Sequence, residues 1–265
     1  MLVILLLLGL SMGSFVNALV WRLREGRNWW SERSECTACH HTLAWYDLIP
    51  VVSWVMLRRR CRYCHKPISA QYPLVESIVA VLFVLSYVIW PFALVTPYEW
   101  LYFGLFLAAL VTMVALSVYD IRWYELPELL TASLAIVGLA MMAIRQCGLN
   151  SCTADSLGVD MALALLPIAG LYGVLHAVSR GRWVGLGDVK LGIGLGFILG
   201  WPAALVAVFL ANAIGLLYVA PLMAMGKVTP KSHIPFGPFL IVAGYISFFV
   251  GQPVIEAYLR FIGIV

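Results

Sequence analysis

Two aspartates, Asp120 and Asp188, stand where a carboxylate is expensive. Asp120 follows residues 105–119, an apolar stretch broken only by Thr112 and Ser117. Asp188 closes the run Gly185-Leu186-Gly187-Asp188 and leads directly into Val189-Lys190-Leu191. A carboxylate at a membrane segment costs several kcal/mol unless it has a partner or a task, so its default reading is functional. Two of them brought together would share a proton, which is the acid–base arrangement of an aspartic protease. Gly185 and Gly187 let the backbone turn sharply and let another chain come close. The bland alternatives are a solvated ion pair between Asp120 and Arg122, and an N-cap role for Asp188 in the helix after it.

The second constellation is a set of thiols. Cys36-Thr37-Ala38-Cys39 and Cys61-Arg62-Tyr63-Cys64 are two CxxC knuckles with 21 residues between them. Two such turns supply the four soft ligands that a tetrahedral zinc ion needs. A polar segment of this size buries little core, so a structural metal makes physical sense there. His40, His41 and His65 stand beside the knuckles as substitute ligands, and two disulfides are the alternative use of the four sulfurs. Cys147 and Cys152 flank Gly148-Leu149-Asn150-Ser151, where a local disulfide and two free thiols are both open.

The elements that must position these groups are membrane helices. The chain is 63% hydrophobic and 11% charged, with a mean hydropathy of +0.94; a soluble domain carries about 25% charged residues. Apolar segments lie near 1–21, 74–95, 98–119, 129–146, 157–178, 189–200, 203–225 and 237–259. The sixth is short, a small span or a broken helix, because glycine-rich backbone at membrane depth must be buried in protein. No basic region precedes the first, which reads as a transmembrane helix and not as a removable signal. The fold class is an all-α polytopic membrane protein of about eight transmembrane helices. Residues 1–21 form the first helix, 22–72 an inserted zinc-ribbon-like domain, and 73–265 the remaining membrane domain.

Lys and Arg set the orientation. Segment 22–72 holds nine of the seventeen: Arg22, Arg24, Arg27, Arg33, Arg58, Arg59, Arg60, Arg62 and Lys66. With that segment cytoplasmic and the spans alternating, Arg122, Arg180, Arg182, Lys190, Lys227 and Lys231 also fall inside, and only Arg145 and Arg260 fall outside. Both aspartates then lie at the cytoplasmic edge, a necessary condition for one shared site. A transporter with intramembrane carboxylates is the rival class; against it stand the absence of an internal repeat and the position of both acids near one edge. Nothing in the chain points to nucleic acid.

The motifs resemble those of the bacterial type IV prepilin peptidases. They are Gly13-Ser14-Phe15-Val16-Asn17, the double CxxC with Trp45-Tyr46-Asp47-Leu48-Ile49-Pro50 between, and Tyr72-Pro73-Leu74-Val75-Glu76. Asp120 with Leu126-Pro127, the Gly185–Leu191 run, and Ile234-Pro235-Phe236-Gly237-Pro238-Phe239-Leu240 complete the order through nearly the whole chain. The resemblance implies an inner-membrane aspartic endopeptidase of the GxGD type, acting at the cytoplasmic face on prepilins and type II secretion pseudopilins. It further implies N-methylation of the new amino terminus with S-adenosylmethionine. By position, the catalytic pair is Asp120 and Asp188, Gly185 and Gly187 complete the motif, and Cys36, Cys39, Cys61 and Cys64 hold the zinc. The chain departs from the pattern at Arg122 and Glu128, where relatives often carry Asp, and in the stretch before Cys36, which is not proline-rich. On this resemblance, Glu25, Glu32, Glu35 and Glu76 are the acids that would receive a basic leader.

Overall fold

A computed structural model describes residues 1–149, 154–229 and 232–263, with the side chains of 147–149 and 154–157 left aside. The chain divides into two compact units, Met1–Trp90 and Pro91–Val265. Among the described residues the named elements are all helices, joined by turns and irregular backbone, with two isolated β-bridges and no named strand.

In the first unit, α1 (Leu2–Arg24) lies against α3 (Gln71–Val88), and the short α2 (Val52–Met56) falls in the polar segment between them. The contact depends on small residues. A Cβ on Gly9 or Gly13 would stand 2.5 Å from the backbone of Ala80 or Glu76. This is the small-xxx-small device by which apolar helices gain close packing without a hydrophobic drive. Polar groups inside the seam are satisfied: Asn17, 4% exposed, donates to the Tyr72 carbonyl at 3.1 Å and accepts from Gln71. Glu76, also buried, accepts from the Val51 N–H at 2.7 Å.

The second unit runs through α4 (Pro97–Trp123), α5 (Glu128–Leu149), α6 (Ala154–Leu165), α7 (Leu171–Ser179), α8 (Leu186–Leu199), α9 (Trp201–Ala224) and α10 (Gly237–Phe261). Its first helix starts on a capping box, Thr96 with Glu99, and on Pro97, whose missing N–H costs nothing at that position. It stops where Tyr124 turns left-handed (φ 57°), just before Leu126-Pro127, where proline disfavours helix in the residue ahead of it. Phe106 is buried among Tyr245, Phe248 and Phe249, joining α4 to α10.

Each of the eight apolar segments contains helix, and among the described residues seven helices are long and apolar enough to cross a membrane. The exception is α8, whose 14 residues extend about 21 Å at the α-helical rise, against a hydrocarbon core of about 30 Å. It still reaches both ends of α5. Lys190 near its start pairs with Glu128, and Arg145 donates to the Leu199 carbonyl at its end, at 3.2 Å. Long side chains supply the reach that the helix lacks, and Arg145 satisfies a carbonyl that lipid cannot. The segment expected at 157–178 also differs in detail. Leu166–Gly170, containing Pro167, form a π-helical turn between α6 and α7. Proline removes an N–H from the ladder, and a wider turn accommodates the loss.

Candidate active site

Asp120 sits in the last turns of α4 and is 5% exposed. One carboxylate oxygen accepts the Gly237 N–H at 3.0 Å. Gly237 is the first residue of α10, so this N–H is one of the unpaired donors at a helix start. A Cβ on Gly237 would fall 2.6 Å from the same oxygen, so only glycine lets the carboxylate come this close. The ion-pair alternative does not hold. Arg122 lies over the Trp123 ring at 5.7 Å, and Asp120 forms no ion pair among the described residues.

Asp188 occupies the first turn of α8, whose N-cap is Gly185. The N-cap alternative for Asp188 does not hold. The aspartate is the third residue of the helix, and one carboxylate oxygen lies 3.6 Å from where a Cβ on Gly185 would be. Both aspartates thus stand at helix starts, α10 for one and α8 for the other, where the backbone dipole favours negative charge.

The two are brought to one place, close enough for the charge of Asp188 to act on Asp120. Leu126 sits beside both glycines that shape the site. Its side chain is 3.1 Å from where a Cβ on Gly187 would be and 3.5 Å from one on Gly237. Lys190, two residues past Asp188, is engaged by Glu128 and not by the aspartates.

The knuckles are a separate construction within the first unit. Each is the same loop: the first cysteine's carbonyl accepts from the following histidine's N–H, His40 onto Cys36 and His65 onto Cys61. Both histidines are left-handed at φ 57°, and bridges 35–42 and 60–67 close the two loops. The four Sγ atoms lie within 4.8 Å of one another and are grouped to hold a metal ion. None of the four is in a disulfide, and no histidine joins the group. His40 faces Glu35, and His41 stacks on Tyr63. Burial pushes the Cys36 thiol up, but the backbone N–H groups of Ala38 and Cys39 outweigh it and bring it down to about 7. A thiol that ionises readily is the right first ligand for a cation. Cys152 and the side chain of Cys147 lie outside the described residues.

Residues 7–90 match the model of the bacterial peptidase A24 N-terminal domain, and residues 105–220 that of the type IV leader peptidase family. Three relatives carry the name prepilin leader peptidase/N-methyltransferase. The protein of Xanthomonas campestris pv. campestris is 33% identical over 97% of this chain and 94% of its own length. That of Aeromonas hydrophila is 32% identical over 96% and 92%, and that of Stutzerimonas stutzeri 29% identical over 97% and 93%. The chain belongs to the type IV leader peptidase family. No solved structure matches it. The four cysteines fall in the first matched region and both aspartates in the second, while Gly237 lies beyond it.

Sequence reasoning gave Gly237 no chemical part in this leader peptidase family member. Its signal was there in the glycine between Phe236 and Pro238, at a helix start. Tyr172 was also missed; it is 3% exposed, and the charge of Asp188 reaches it. Of the acids expected to receive a basic leader, Glu32 and Glu35 are already paired with Arg27, and Glu76 is buried against Val51. Only Glu25 of the four is exposed.

Proposed function

We propose that the chain is an aspartic endopeptidase that cuts the basic leader from type IV prepilins and type II secretion pseudopilins at the cytoplasmic membrane face. We further propose that it methylates the new amino terminus with S-adenosylmethionine. The observation that carries the peptidase reading is the nearness of Asp120, held by the Gly237 N–H at the start of α10, to Asp188 in the first turn of α8. The relatives' printed name supports the substrate and the second activity. The fifteen-to-two distribution of Lys and Arg supports the cytoplasmic orientation.

Two neighbouring carboxylates cannot both ionise cheaply, so the pair holds one proton and its titration belongs to both. The ionised member takes a proton from water as the water oxygen attacks the scissile carbonyl carbon. The protonated member donates to the carbonyl oxygen. When the tetrahedral intermediate collapses, the proton held by the pair passes to the leaving nitrogen as the C–N bond breaks.

Cys36, Cys39, Cys61 and Cys64 are the proposed zinc ligands. The Cys36–Cys64 sulfur separation of 3.9 Å fits the edge of a tetrahedron with Zn–S bonds of about 2.3 Å. With four protein ligands the ion is structural and stabilises the polar segment.

The test is incubation of the purified protein with a prepilin in detergent, with and without S-adenosylmethionine, read by mass spectrometry. The expected products are the mature pilin alone, then the mature pilin heavier by one methyl group. An intact prepilin with folded enzyme would refute the peptidase reading, and an unmethylated mature pilin would refute the second activity.

A further inference from the structure

We infer that Tyr172 is a third polar group of the cleavage site, donating its phenolic hydrogen bond to the carbonyl oxygen of the scissile peptide. The inference rests on the peptidase reading and adds a residue that the aspartate motifs do not contain. It begins with hydrogen-bond direction. The Asn212 side-chain nitrogen lies 2.8 Å from the Val208 carbonyl and 3.3 Å from the Tyr172 oxygen. A carbonyl only accepts, so the atom facing Val208 must be the amide N–H₂ and not the amide oxygen. The same nitrogen therefore donates to Tyr172, whose oxygen is the acceptor. The phenol keeps its own proton to give, and among the described residues no acceptor takes it. A buried O–H donor without a partner is costly, and Tyr172 is 3% exposed.

The surroundings place Tyr172 near the aspartates. Tyr172 packs edge-on against Phe236, the residue before Gly237, with ring centroids 5.6 Å apart. Its neighbour Gly173 faces Val189, the residue after Asp188, with 3.8 Å from a Cβ there to the valine methyl. Tyr172 thus packs against the residue before Gly237 while its chain neighbour faces the residue after Asp188, and the charge of Asp188 acts on it. Tyr172 comes directly after Leu171, at the end of the π-helical turn. Such turns re-aim the side chains that follow them and recur at functional sites. Asn212 is itself exposed on the bundle. A polar side chain there carries the same functional expectation as a buried acid.

A purely structural tie between α7 and α9 makes a different prediction, because either partner's loss would break it equally. The experiment measures kcat and KM for prepilin cleavage by the full-length protein and by Tyr172→Phe, Asn212→Ala and Asp188→Asn. Tyr172→Phe should lower kcat about 10²-fold, the scale of losing one oxyanion donor, with KM within about threefold and Asn212→Ala costing about tenfold or less. Equal losses in the two variants, or wild-type kcat in Tyr172→Phe, would overturn the inference while leaving the peptidase reading intact. A wild-type protein that leaves the prepilin uncut would overturn both. If Tyr172→Phe lowers the melting temperature, a ring-fluorinated tyrosine at 172 decides instead. That side chain keeps the shape and makes a stronger donor, so kcat shifts if the phenol serves the reaction and stays constant if it is a tie.

Discussion

The thiol knuckles and the aspartate site solve the same problem in opposite ways. Each gathers residues distant in sequence, Cys39 with Cys61 in one and Asp120 with Asp188 in the other. The knuckles do it locally. Each loop is complete within eight residues, 35–42 or 60–67, and the two copies share one backbone shape down to the left-handed histidine. The aspartates depend on four separate helix ends, supplied by α4, α5, α8 and α10. A metal ion can pull two preformed turns together, whereas two like charges must be held together by the fold. The Gly237 N–H stabilises Asp120 there, and Asp188 sits at the start of α8.

That contrast can be broken from either side. The largest effect is expected in the knuckles. A structural zinc site is worth about 10–16 kcal/mol and needs all four thiolates. Cys36→Ser should reduce the bound metal from one ion per chain to almost none after dialysis, measured by elemental analysis, and should expose residues 22–72 to protease. Metal retained in full by that variant would mean that the four sulfurs are not the ligand set.

Next comes Gly237→Ala. Its methyl would meet the Asp120 oxygen at 2.6 Å and force the carboxylate aside. A displacement of about 1 Å at a reacting group costs about 10²-fold in rate, read as kcat on a prepilin with metal content unchanged. Gly187→Ala meets the Leu126 side chain at 3.1 Å and no carboxylate oxygen, and should be the milder of the two. Equal effects would remove the special role given to the Gly237 N–H. The smallest change is expected at the pair that braces the entrance to α8. Glu128 is 84% exposed and Lys190 34%, so Lys190→Ala should cost no more than about 1 kcal/mol in thermal unfolding. A large loss of kcat there would mean that Lys190 serves the aspartates after all.

The same contrast governs what could be read from the residues. The knuckles were legible because a metal site written as two CxxC turns is local, and spacing carries it. The helices were legible because 63% apolar composition leaves few alternatives. The close contact at Gly9 and Gly13 was not read from the residues, since its partners Ala80 and Glu76 lie on the next long helix. The N-cap alternative for Asp188 stayed open in the sequence because Gly185 and Asp188 both suit a helix start. Only the backbone decides which residue stands outside the helix. The π turn at Pro167 and the N–H of Gly237 were hidden for a different reason. One is a register shift inside an apolar run, and the other is a main-chain donor that any residue type carries. Asn212 and Tyr172 look like ordinary members of apolar helices until their hydrogen bond is seen.

The decisive measurement is a double-mutant cycle on prepilin cleavage, with Asp120→Asn, Asp188→Asn and the double variant assayed by mass spectrometry under single-turnover conditions. Catalytic groups that act as one unit are strongly non-additive. Each single variant should lose about 10⁴-fold or more, with the double variant scarcely worse than either. Losses that multiply in the double variant, or near-normal cleavage by either single one, would contradict a shared proton and with it the aspartate pair.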